Sequence, residues 1–162
     1  MSSLKKRFAT AAAVAVAAPM LVIASAGTSS AAGTVTWQTD GNCLGVVLNY
    51  PTAQGIEFTD PLWLHGCSAP GYTSVTWQDT NYGSNQWTEK PTADTSMCLT
   101  AYYDHSVYLE TCKNGGAGNS FERWHEINSG GNWYLQNVAT GEYLNASNTV
   151  SAHTSTTKQA WH

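Results

Sequence analysis

Two kinds of tryptophan alternate along residues 33–162, and their spacing constrains the fold more than any other feature of the chain. Trp37, Trp87 and Trp133 each open a unit, while Trp77, Trp124 and Trp161 each close one. The step from a closing to the next opening tryptophan is ten residues for Trp77–Trp87 and nine for Trp124–Trp133. From Trp87 to Cys98 is eleven residues, and from Trp133 to Tyr143 is ten. Cys43-Leu44, Cys98-Leu99 and Tyr143-Leu144 therefore hold one slot, and the units end on SVTWQ, FERWH and KQAWH. A period of this length means a fold assembled in triplicate, with units of about 33–79, 80–126 and 127–162. An aromatic at a fixed place in each unit packs against its equivalents, so both kinds of tryptophan are expected in the core.

The units read as all-β. No stretch after residue 32 sustains helical periodicity. Short runs such as TVTW, LGVVL, CLTAYY, VYLET and NWYLQNV are punctuated by NG, YG, GG and TG turns. All seven Trp and all eight Tyr fall in this part, and charged residues are sparse. The single core a domain of this size can bury thus has to be largely aromatic.

Residues 1–32 read as a cleaved signal peptide. MSSLKKR is a basic start, FATAAAVAVAAPMLVIASA is an uncharged apolar run, and Ala24-Ser25-Ala26 and Ser30-Ala31-Ala32 are small-residue cleavage sites. Cleavage is expected after Ala26 or shortly beyond, rather than retention as a membrane anchor. It removes Lys5, Lys6 and Arg7, leaving four basic against eleven acidic residues and a formal charge of −7. Such a surface repels phosphate backbones and anionic lipid, which argues against nucleic acid or a membrane surface as partner.

Four cysteines, Cys43, Cys67, Cys98 and Cys112, lie in the exported part and imply two disulfides. Counting alone leaves three connectivities open. In the repeat register each cysteine-bearing unit has one early and one late cysteine, so Cys43–Cys67 and Cys98–Cys112 are the natural pairs. No Cys-x-x-Cys spacing or His cluster points to zinc, so no metal and no cofactor are expected.

With three units that each carry a Cys-Leu strand, a second cysteine strand and a closing Gln-x-Trp, residues 33–162 resemble the ricin-B-type β-trefoil lectins. KQAW has the Gln-x-Trp in full, whereas FERW has Glu122 and SVTW has Val75 at the Gln position. The resemblance implies a β-trefoil with one shallow sugar site per unit. Such a site has a carboxylate just after Cys-Leu, an aromatic on the next strand, and an Asn or Gln before the closing Trp. Carried over, unit one offers Gly45, His65 with Trp63 beside it, and Ser74. Unit two offers Thr100, Glu110 with Tyr108 beside it, then Phe121 and Glu122. Unit three offers Asn145, His153, Lys158 and Gln159. No unit keeps the aspartate. Unit three is nearest, because Asn145 and Gln159 can bond hydroxyls and His153 can stack. Unit two adds Asp104, Tyr102 and Tyr103 close in sequence.

Three functions follow as expectations. The first is a secreted carbohydrate-binding module with Asn145, His153, Gln159, Trp63, His65, Tyr108 and Glu110 as contact residues and a glycan as partner. The second is a trefoil that binds a co-secreted protein, as adaptor or enzyme inhibitor. It draws on the longer Cys43–Cys67 interval, whose LNYPTAQGIEFTDPLW segment (48–63) could enter a partner. Catalysis is the weakest, since no His-Glu-x-x-His, Gly-x-Ser-x-Gly or phosphate-cradling loop is present and the eleven acids identify no pair.

Overall fold

The computed structural model describes residues 33–46, 48–52, 55–58, 62–68, 74–147 and 150–162. The expected signal peptide and parts of the 48–63 insertion lie outside the described residues.

Strand β1 (Thr34–Val35) begins a circuit of antiparallel pairs. It pairs with β7 (Trp77–Asn81), which pairs with β8 (Trp87–Pro91). Next come β11 (Trp124–Ser129) and β12 (Asn132–Asn137). The tail closes the ring. Trp133 and Trp161 exchange backbone hydrogen bonds of 2.9 Å in both directions. His162 does the same with Gln38, at 2.9 and 3.1 Å, where Gln38 begins β2 (Gln38–Thr39). A closed ring leaves no unpaired sheet edge.

Three hairpins sit on the barrel, one per unit. They are β3 (Asn42–Gly45) with β6 (Trp63–Gly66), β9 (Met97–Ala101) with β10 (Val107–Thr111), and β13 (Tyr143–Ser147) with β14 (Val150–Ser155). Their registers are equivalent: Leu44 faces Leu64, Leu99 faces Leu109, and Leu144 faces Thr154. The 48–63 insertion contains a further hairpin, β4 (Leu48–Thr52) with β5 (Gly55–Phe58).

The closing tryptophans join barrel to hairpins by one contact used three times. Trp77 Nε1 donates to the Leu44 carbonyl at 3.0 Å, Trp124 Nε1 to Leu99 at 2.9 Å, and Trp161 Nε1 to Leu144 at 3.2 Å. All three rings are fully buried. Each indole thus brings a large apolar area out of water without leaving its N–H unpaired, which is what makes Trp usable in a core this polar. The opening tryptophans are less alike. Trp37 and Trp87 are buried, whereas Trp133 is half-buried and packs edge-on against Trp37 with centroids 6.4 Å apart.

Both expected disulfides are formed, Cys43–Cys67 and Cys98–Cys112. Together with the threefold hairpin register they define a β-trefoil. Two short 3-10 turns, Lys113–Gly116 and Ser120–Glu122, lead into the closing strand of unit two. Gly116 is required there: a Cβ would stand 2.3 Å from Thr88 Cγ2, and its φ is +100°.

Candidate functional site

The hairpin registers locate the residues carried over from the lectin pattern. Across from Gly45, Thr100 and Asn145, the residues after the Cys-Leu or Tyr-Leu pair, stand Trp63, Tyr108 and His153. The aromatic slot is therefore Trp63 and Tyr108 in units one and two, two residues before His65 and Glu110. His65 and Glu110 face Cys43 and Cys98 instead. Thr100 is fully buried and bonds the Cys98 carbonyl at 3.0 Å.

In unit three the two amides serve the scaffold. Asn145 Nδ2 donates to the carbonyls of Tyr143 and Thr157 at 2.8 and 2.9 Å. Gln159 pairs with Ala146 like a strand residue, accepting from its N–H at 2.6 Å and donating to its carbonyl at 2.7 Å. Lys158 Nζ lies over the Tyr143 and Tyr134 rings. Glu122, at the matching position of unit two, is buried and accepts from the Lys113 N–H and from Asn119 Nδ2.

The polar and aromatic groups that converge lie at the junction of units two and three. The β9–β10 turn is tied by Asp104, whose Oδ1 accepts from Ser106 N–H at 3.1 Å and Ser106 Oγ at 2.6 Å. Those bonds hold the Asp104 carboxyl below its ordinary pKa. On one side of the turn is an aromatic stack. Tyr102 lies between Tyr108 and Phe121, with centroid distances of 5.4 and 5.1 Å and near-parallel planes. Tyr103 meets Phe121 edge-on at 5.3 Å and is 70% exposed, a large aromatic facing water. Tyr102 Oη donates to Glu110 Oε2 at 2.8 Å, and burial together with that carboxylate keeps the phenol protonated.

His105 of the same turn lines a pocket of about 380 Å³ together with Glu142, His153, Thr154, Ser155 and Thr156. Glu142 Oε2 accepts from Thr154 Oγ1 at 2.7 Å and contacts His105 Nδ1 at 2.8 Å. The Thr154 hydroxyl, with His105, lowers the Glu142 pKa, so the pocket carries an ionised carboxylate beside hydroxyls and imidazoles. The junction is held by the Thr154 N–H to His105 carbonyl bond at 2.9 Å and by the Ser106–His153 bridge. Of the residues expected at sugar sites, this junction collects Tyr108, Glu110 and His153. It adds His105 and Glu142, which lie on neighbouring units and share no linear motif.

A second cluster escaped the sequence reading. Asp79, Glu89 and Glu126 lie two residues past Trp77, Trp87 and Trp124, in WQD, WTE and WHE. On a strand that offset places acid and tryptophan on one face. Asp79 is directly opposite Glu89, and all three acids are buried. One carboxylate oxygen from each lies within 4.8 Å of the others. Trp37 Nε1 donates to Glu89 Oε2 at 2.9 Å. Burial pushes Asp79 up to about 6 and Glu126 up to about 7, and raises Glu89 well above the ordinary carboxylate value. The thrice-repeated Trp-x-acid was the signal that could have found them.

The barrel, the three equivalent hairpins and the disulfides make this an all-β protein of the β-trefoil class. No protein-family model matches the chain, and no curated protein matches it. Among solved structures, the Haemophilus ducreyi cytolethal distending toxin superposes with a TM-score of 0.59 at 13% identity, over 80% of this chain and 81% of that one. ThreeFoil, a designed threefold-symmetric protein, gives 0.52 at 18% identity, over 75% and 89%. At such identities the likeness is one of fold.

Proposed function

We propose that the chain is a secreted, non-catalytic carbohydrate-binding trefoil that holds its glycan at the junction of units two and three. The observation that carries the reading is the 70%-exposed Tyr103, packed on a stack of Phe121, Tyr102 and Tyr108 next to a pocket containing ionised Glu142. A sugar presents C–H groups on one face and hydroxyls at its edge. A rigid aromatic with an adjacent carboxylate and hydroxyls suits both. The resemblance to ricin-B-type lectins supports the same chemistry, although the site lies between two units rather than within one. Secretion is supported by the signal-like leader and the two disulfides. Among the described residues no helix is long and apolar enough to cross a membrane.

A glycan array probed with the purified protein, alongside Tyr103→Ala and Glu142→Gln, tests this. Binding that both substitutions reduce at least about tenfold is the expected result, since each removes a contact of about 1.4 kcal/mol or more. Silence across the array, or binding indifferent to both substitutions, overturns it. The second reading, a protein-binding trefoil, is favoured by the β4–β5 hairpin, which unit one alone inserts between its paired strands β3 and β6. A pull-down from the culture medium that is lost on deleting residues 48–58 would support that reading.

A further inference from the structure

We propose that Asp79, Glu89 and Glu126 form a binding site inside the barrel for a hard divalent cation of the calcium class. The site is separate from the glycan-binding surface and does not depend on that reading.

Three strands, β7, β8 and β11, aim one carboxylate each at a common point. Asp79 Oδ1, Glu89 Oε1 and Glu126 Oε1 are buried and meet no hydrogen-bond donor from outside the cluster. Glu89 is the most telling of the three. Its side chain is 0% exposed, and the Trp37 indole fixes one oxygen, which leaves the other directed at the neighbouring acids. An unpaired buried carboxylate oxygen costs several kcal/mol, and here three share one place. The only salt bridge among the described residues, His105–Glu142, lies elsewhere, so no described Lys, Arg or His pairs with the cluster.

The donor set selects the ion. All ligands are carboxylate oxygens, which suits hard cations rather than zinc or copper. The three carboxylate oxygens lie within 4.8 Å of one another, so a single cation can bridge them. Magnesium demands a near-ideal octahedron and usually keeps several waters, whereas calcium accepts irregular and bidentate carboxylate ligation. Because the acids are enclosed, the ion is expected to enter during folding.

The test is to refold the full chain, with disulfides intact, in terbium(III), in calcium or in EDTA. Trp37 touches Glu89, so terbium bound here should show tryptophan-sensitised emission with one-site saturation, displaced by calcium. Calcium should raise the thermal midpoint over EDTA by roughly 5–10 °C at a hundredfold excess over its Kd. Glu89→Gln and Asp79→Asn should each cut the sensitised emission by about tenfold or more, whereas Asp40→Asn at the surface should not change it. Natively folded wild type with neither emission nor a calcium-dependent midpoint overturns the proposal. Emission equal in wild type and Glu89→Gln also overturns it, because the ion would then sit on the surface. Should both variants fail to fold by near-UV circular dichroism, the wild-type calcium titration decides alone.

Discussion

Replacing Trp161 with phenylalanine tests how the barrel is closed. The indole of Trp161 is fully buried and donates to the Leu144 carbonyl at 3.2 Å. Phenylalanine keeps an aromatic ring but has no N–H, and losing a buried donor costs about 1–3 kcal/mol. It also leaves a gap of roughly 40 Å³, worth about 1 kcal/mol at 24 cal/mol per Å³. The expected destabilisation is about 2–4 kcal/mol, a large share of the 5–15 kcal/mol typical of a folded domain. With a urea m-value of about 2 kcal/mol/M, the unfolding midpoint should fall by about 1–2 M. Circular dichroism is the suitable probe, since the substitution alters fluorescence directly. Trp77→Phe and Trp124→Phe, which lose the same bond in units one and two, should cost a similar amount. Half-buried Trp133, replaced by Phe, should cost less than about 1 kcal/mol. If Trp161→Phe costs no more than Trp133→Phe while the other two carry the full penalty, the tail does not complete the core and the reasoning fails.

Three further outcomes are expected. In EDTA, the buried acids' contribution to stability should be greatest below about pH 4 and be lost as pH rises to about 7. Asp79 and Glu126 hold protons in the folded state up to about 6 and 7, but lose them near 3.8 and 4.5 when unfolded; a flat or rising urea midpoint between pH 4.5 and 8 would contradict the buried cluster. Replacing Cys98 and Cys112 together by alanine frees a loop with a sequence separation of 14 and should cost about 3 kcal/mol, read as a lower midpoint in non-reducing urea titration. Gly116→Ala forces a Cβ onto Thr88 at a positive φ and should cost about 2 kcal/mol or more in the same assay, with no gain from the smaller conformational freedom of alanine.

The scaffold was legible because its determinants are rare residues at fixed separations. Each closing tryptophan fills one buried place and meets one backbone carbonyl, so its spacing survives where the residues around it vary. The cysteines follow the same register. The site was less legible for two physical reasons. Pairing across a hairpin is set by backbone hydrogen bonds and turn length, so the sequence offered both His65 and Trp63, and both Glu110 and Tyr108, and only the register put Trp63 and Tyr108 opposite the residue after Cys-Leu. Contacts between units are the second reason. His105 and Glu142 are 37 residues apart and meet only because unit three packs against the turn of unit two. The buried acids looked like ordinary loop charges until strand alternation placed each on the inward face beside its tryptophan.

The ring of strands is joined by partners very distant along the chain: Gln159 Nε2 reaches Thr39 Oγ1 across 120 residues. Local hairpins in each unit can form early, but this seam has to wait for a long loop to close. All-β folds closed by such non-local pairings are expected to fold in milliseconds to seconds rather than microseconds. Throughout that interval β12 and the strand at Gln38 present open edges, which invite pairing between chains. Refolding yield should therefore fall with protein concentration more steeply than the stability of the finished barrel would indicate.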